Sequence, residues 1–220
     1  MTILGNASSE KTAVARWTSG PPTTQDFCSE KWLVAEAVQI TRYWNGEDAP
    51  AHRQAEARVL WSEEGLHLRF KYPQEEPLVV LADPQTTRKT LGLWDRDVCE
   101  VYLAPGSQSP TRYFEFEGAP TGEWLDVGIR FTEQGREADW GFYSGMSVTA
   151  KVEREMVLIS MRIPWGTEIP IPSRGDTWRA NFFRCVGVGK GRGYVAWQPT
   201  MTEEPNFHVP GVFGWLRFEG

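Results

Sequence analysis

The sequence predicts a single all-β domain, an antiparallel sandwich with little helix. Three observations carry that reading. Apolar and polar residues alternate with period two over many short runs, as in Leu66, Leu68, Phe70 and Tyr72 against His67, Arg69 and Lys71. Turn signals recur every ~8–12 residues, the spacing of a sandwich or barrel. No stretch sustains the i, i+3, i+4, i+7 apolar pattern of a substantial helix. A chain of 220 residues fits one such domain and buries a full core without staples.

The elements follow in chain order. Residues 1–30 are polar and turn-rich, with Gly20-Pro21-Pro22 as a breaker, and predict an irregular N-terminal strap before a domain over residues 31–220. Strands are predicted at Ala35 to Tyr43 and Ala55 to Ser62, then, after the turn Glu63-Glu64-Gly65, at Leu66 to Tyr72. A short helix is the most that Thr86 to Leu91 supports. Further strands run from Asp97 to Leu103, Tyr113 to Glu117 and Leu125 to Phe131. Ser147 to Val152 and Met156 to Ile163 form a hairpin stopped by Pro164. Trp178 to Val188, Tyr194 to Trp197 and Phe213 to Phe218 complete the set.

Composition removes several function classes. The net charge is −6, so no basic surface recommends a nucleic-acid or anionic-membrane partner. No apolar run approaches a transmembrane helix. Met1 to Ala15 lacks the basic and apolar regions of a signal peptide. Cys28, Cys99 and Cys185 lie far apart, an odd set with no metal or redox spacing, which leans towards a reducing compartment. His52, His67 and His208 have no zinc-like partners, and His67 is expected at the surface beside Arg69 and Lys71. The run Gly187 to Gly193 is not a phosphate loop, because no helix pattern follows it; it reads as a hairpin tip.

The unusual count is eleven tryptophans. On the strand after Trp94, Cys99, Val101 and Leu103 share one apolar face, while Val98, Glu100 and Tyr102 share the other. Tyr113, Glu115 and Glu117 likewise oppose Phe114 and Phe116. Two strands therefore each offer a core face and a face of Tyr and Glu. Trp94 stands just before them, and Trp197 ends a late strand. Sugars present apolar C–H faces and a rim of hydroxyls; indoles meet the faces, and carboxylates, Tyr and an Arg such as Arg96 meet the hydroxyls.

The order of landmarks resembles the family 9 carbohydrate-binding modules associated with xylanases. The motifs are Leu60-Trp61-Ser62-Glu63-Glu64-Gly65-Leu66, Trp94-Asp95-Arg96-Asp97-Val98-Cys99-Glu100, Tyr113-Phe114-Glu115-Phe116 and Ile163-Pro164-Trp165. They continue through Trp178-Arg179-Ala180-Asn181-Phe182-Phe183-Arg184, Ala196-Trp197-Gln198-Pro199-Thr200, Phe207-His208-Val209-Pro210 and Phe213-Gly214. The resemblance spans roughly Trp32 to Phe218. It implies a β-sandwich of immunoglobulin or jelly-roll type and non-catalytic binding of gluco- or xylo-configured sugar ends, as in cellulose or xylan. It implies a clamp of Trp94 and Trp197, with Glu100 as a hydroxyl partner. It allows structural calcium, for which Asp83, Asp95, Asp97 and Asp126 offer oxygens, and it points to an extracellular setting. Where the family's aromatic strand often runs on into Arg and Asn, this chain has Glu115-Phe116-Glu117-Gly118.

The residues admit two other classes. An enzyme on this scaffold would use a carboxylate pair drawn from Asp97, Glu100, Glu115 and Glu117. A haem-binding relative would draw on His52, His208, Met146, Met156 and Met201, which no spacing singles out. No catalytic residue is assigned.

Overall fold

The structure, a computed structural model, describes residues 11–106 and 110–220. The strands in chain order are β1 (Thr12–Trp17), β2 (Ala37–Ile40), β3 (Arg42–Tyr43), β4 (Ala55–Ser62), β5 (Gly65–Pro73), β6 (Val98–Ala104) and β7 (Arg112–Gly118). Then come β8 (Trp124–Thr132), β9 (Gly135–Asp139), β10 (Ser147–Val152), β11 (Met156–Pro164), β12 (Thr177–Val186), β13 (Gly193–Ala196) and β14 (Gly214–Glu219). Helix is confined to single 3₁₀ turns among the described residues.

The strands form one continuous path, β10-β11-β5-β4-β1-β14-β12-β6-β7-β8-β9, with β2, β3 and β13 attached at its flanks. The path doubles over on itself. Leu68, Phe70, Ile159 and Met161 from one limb share a core with Val101, Phe116 and Phe182 from the other. This is the predicted sandwich. The limbs approach closely at Gly118, where a Cβ would stand 2.6 Å from the Met161 methyl and 3.1 Å from Ile159 and Val148 side-chain carbons. A second apolar cluster covers the far face of β6, β7, β8 and β12. It joins Tyr102, Tyr113, Leu125 and Phe183 to Phe207 and Phe213 from the segment after β13.

Three expectations are corrected. The stretch read as an irregular strap contains β1, which pairs in parallel with both β14 and β4. Its apolar residues, Ala13, Val14 and Ala15, are small and buried; alanine is a weak strand signal, so only its partners reveal the strand. The part of the strap before residue 11 lies outside the described residues. Thr86 to Leu91 is a loop, because the Thr90 N–H is used on the Trp124 carbonyl rather than on a helical turn. His67 is buried, opposite Arg162 in the register and bonded to the Ser62 hydroxyl at 2.9 Å. Burial, reinforced by the Arg162 charge, lowers its pKa to about 4.

Candidate functional site

A cleft of about 370 Å³ opens on the far face of β6 and β7. Alternation along these strands puts Glu100, Tyr102 and Glu115 in its floor, with Ile129 of β8 and Cys185 of β12 beside them. One wall is Trp94 and Asp95 on the 3₁₀ turn Leu93–Asp95, which leads into β6. A second is β9, with Arg136 and Ala138, and the Trp140 that follows it. A third is the run from Pro205 to His208, near Tyr194 of β13.

The walls are held from outside. Arg192, carried by the glycine-rich tip between β12 and β13, donates to the carbonyls of Trp94, Arg96 (2.9 Å) and Gly187 (2.8 Å). The hairpin tip predicted from sequence thus fixes the Trp94 turn. Arg96 turns away from the cleft and donates to the Gly92 carbonyl at 2.8 Å. On the other side, the Lys89 ammonium lies 2.6 Å from the fully buried Asp126 carboxylate. It also donates to the carbonyls of Asp126 (2.9 Å), Trp140 (3.4 Å) and Phe142 (2.5 Å). The ammonium therefore ties the Trp140 segment to β8.

The floor is electrically strained. Glu100 and Glu117 are register partners across β6 and β7, and Tyr102 is paired with Glu115. All three carboxyls are buried. Burial and the neighbouring Glu115 charge push Glu100 up to about 8. Burial raises Glu115 as well, and burial with the Glu100 charge raises Glu117 further. The Cys185 thiol donates to Glu100 at 3.4 Å. Tyr113 stacks on Tyr102 and shares a 2.8 Å hydrogen bond with His208 Nδ1; the other ring nitrogen of His208 is 3.9 Å from Glu115.

Of the residues singled out in the sequence, Trp94, Glu100 and Glu115 line the cleft, and Tyr113 and Glu117 lie beneath it. Trp197 does not join them. It is 5% exposed and sits in the core between the two limbs, edge-on to Phe182 with ring centroids 5.6 Å apart. Its ring presses on Gly214, where a Cβ would come within 2.4 Å of it. Period-two alternation explains the placement, because Val195 and Trp197 share the core-facing side while Tyr194 and Ala196 face outward.

The second exposed indole is Trp140. Among the eleven tryptophans only Trp94 (37%) and Trp140 (46%) are exposed, and their rings lie 5.8 Å apart at 34°. The available signal for Trp140 was its setting, the first of three aromatics that follow the charged run from Arg136 to Asp139. Tyr194 and Asn206 of the cleft carried no comparable signal; Phe207 stood out only as part of a motif, and His208 through that motif and as a haem candidate.

The aspartates offered as calcium oxygens are otherwise engaged or dispersed. Asp97 accepts from the backbone N–H of Gly187 (2.9 Å) and Val79 (3.2 Å), and Asp126 from Ser144 N–H (2.6 Å) and Oγ (2.7 Å), besides its lysine. Asp83 is exposed, and Asp95 stands on the cleft wall. Among the described residues no three His, Cys, Asp or Glu side chains gather as a metal site. The haem candidates are also scattered: Met146 is in the inter-limb core, and His52 lies 3.4 Å from Glu76. Among the described residues no helix is long and apolar enough to cross a membrane.

Fold and cleft together define a β-sandwich with an aromatic-rimmed, carboxyl-floored cleft. A family model described as carbohydrate-binding family 9 matches residues 33–218, and the chain belongs to that family. No curated protein matches it. Solved structures share the fold. A Bacteroides uniformis protein assigned to carbohydrate binding is 19% identical, with TM-score 0.73, over 96% of this chain and 100% of that one. A family 9 module from Caldicellulosiruptor kristjanssonii, solved with cellotriose, is 14% identical with TM-score 0.64, over 96% of this chain and 94% of that one. The glucose complex of a family 9 module from the same organism gives the same identity and score, over 96% of each chain.

Proposed function

We propose that this chain binds carbohydrate without transforming it, taking a gluco- or xylo-configured sugar end in the cleft on β6 and β7. The observation that carries this is the position of the exposed indoles: of eleven tryptophans, the two most open to solvent both stand on this rim, over a floor of hydroxyl-binding groups. An all-equatorial pyranose offers a flat C–H face to an indole and its hydroxyls to carboxyls, Asn and His. Family membership, and relatives solved with glucose and cellotriose, support the same ligand class.

The mode differs from a clamp between Trp94 and Trp197. A ring held between two indoles needs ~7–8 Å between them, twice the carbon contact distance. Trp94 and Trp140 are 5.8 Å apart with planes tilted 34°, too close to admit a ring between them, so the sugar stacks on an outward face of the pair. Titration with glucose, xylose, cellobiose and xylobiose, followed by tryptophan fluorescence, tests this. Saturable binding is expected, lost in Trp94→Ala and weakened in Trp140→Ala, while Trp197→Phe keeps the wild-type affinity. No saturable change with any of the four sugars refutes the reading.

A further inference from the structure

We propose that the sugar preferred by this cleft carries a protonated amine, as in glucosamine and its oligomers, with the ammonium seated over Glu100, Glu115 and Glu117. The proposal rests on the sugar-binding reading above and names its ligand class.

The argument begins with Glu117. It is 0% exposed, yet neither of its carboxyl oxygens receives a hydrogen bond from a protein N–H or O–H among the described residues. A buried carboxyl without a donor costs the fold free energy unless something supplies one. Its hydrogen-bonding neighbour is the Glu115 carboxyl, itself an acceptor unless the two share a proton. Its register partner is Glu100, which accepts from the weak thiol of Cys185 and from the Tyr102 hydroxyl, a single donor that Glu115 also draws on. All three face the cleft side of β6 and β7, and Asp95 on the wall adds a further negative charge near Glu117.

The basic side chains nearby stand at the edges. Arg136 is exposed on the rim, and His208 reaches towards Glu115 alone. Arg192 is committed to three backbone carbonyls. The floor therefore holds a surplus of acceptors. A neutral sugar hydroxyl brings one donor and an acceptor with it. An ammonium brings three donors and no acceptor, and its charge stabilises the ionised form of carboxyls on which burial otherwise keeps a proton, so its binding releases protons from the floor. A bare divalent cation is a poorer fit, because no metal-holding group of three side chains exists among the described residues.

The test compares glucosamine with glucose and with N-acetylglucosamine by calorimetric titration at about pH 6, where the free amine is protonated. N-acetylglucosamine separates the charge from the size of the group at that carbon. Glucosamine is expected to bind about tenfold or more tighter than either neutral sugar, the factor one charge-assisted hydrogen bond provides. That ratio should fall towards unity in Glu117→Gln and in Glu100→Gln, each checked for its melting transition. Equal affinity of wild type for glucosamine and glucose, with both lost in Trp94→Ala, overturns the amine preference and leaves the sugar site standing. Absence of binding by all three sugars overturns both readings.

Discussion

Replacing Lys89 with methionine should destabilise the protein well beyond an ordinary surface mutation. The Lys89 ammonium is the counter-charge of Asp126, a carboxylate with no exposure to solvent, at 2.6 Å. Removing one member of a buried pair strands the other and costs ~3–5 kcal/mol. The lysine is one-fifth exposed, so water can enter beside Asp126, and the lower end of that range, about 3 kcal/mol, applies. For a chain of this length that is roughly 6–12 °C in melting temperature. The double variant Lys89→Met with Asp126→Asn should melt higher than Lys89→Met alone, because no buried charge remains. The ammonium also holds the Trp140 and Phe142 carbonyls, so Lys89→Met should weaken sugar binding several-fold without touching the ligand. Differential scanning calorimetry decides the matter. A melting temperature within about 2 °C of wild type would show that Asp126 is not held by this cation and would refute the reasoning.

Two further outcomes follow from the packing. His67 has a folded pKa lowered to about 4, so the unfolded chain binds its proton more readily. Its contribution to stability is complete above about pH 6.5 and is lost as pH falls towards 4, at most about 3 kcal/mol. The three raised glutamates act in the opposite sense, losing stability as pH rises, so the His67 contribution is read as the difference between wild type and His67→Gln in urea unfolding across that window. Gly118→Val should cost about 1–3 kcal/mol by overpacking the gap against Met161, Ile159 and Val148, seen as a lower urea midpoint with an unchanged slope.

The strands of the two limbs were legible because each exposes a chemical difference between its faces. Leu66, Leu68, Phe70 and Tyr72, or Phe114 and Phe116 against Tyr113, Glu115 and Glu117, announce period two directly. β1 was not legible, since Ala13 and Ala15 fill a central strand by being small rather than by being strongly apolar. For the site, alternation correctly placed Glu100, Glu115 and Glu117 on one face. It also held the answer for Trp197, whose phase on β13 is that of Val195 and the core; the motif around it drew attention away from that phase. Trp140 meets Trp94 through the fold of β8 and β9, a contact between residues with no shared strand, and local pattern carries no trace of it. Buried His67 was missed for a related reason: a side chain on the outer face of β5 reads as solvated until the neighbouring strand lays Arg162 beside it.

The parallel pairing of β1 with β14 also constrains how the molecule is made. Arg16 and Glu219 meet across a sequence separation of 203 residues, and β1 is the strand that bridges the two limbs. β1 is made long before β14 and is therefore among the last strands of this domain to find its place. Until β14 emerges, β1 has only its short contact with β4, and the edge it will later offer to β14 lies open. Loop closure on that scale is slow, and an unpaired edge is the usual point of entry for association between nascent chains. The small, weakly apolar side chains of β1 suit that wait, because they give a stray strand little to hold.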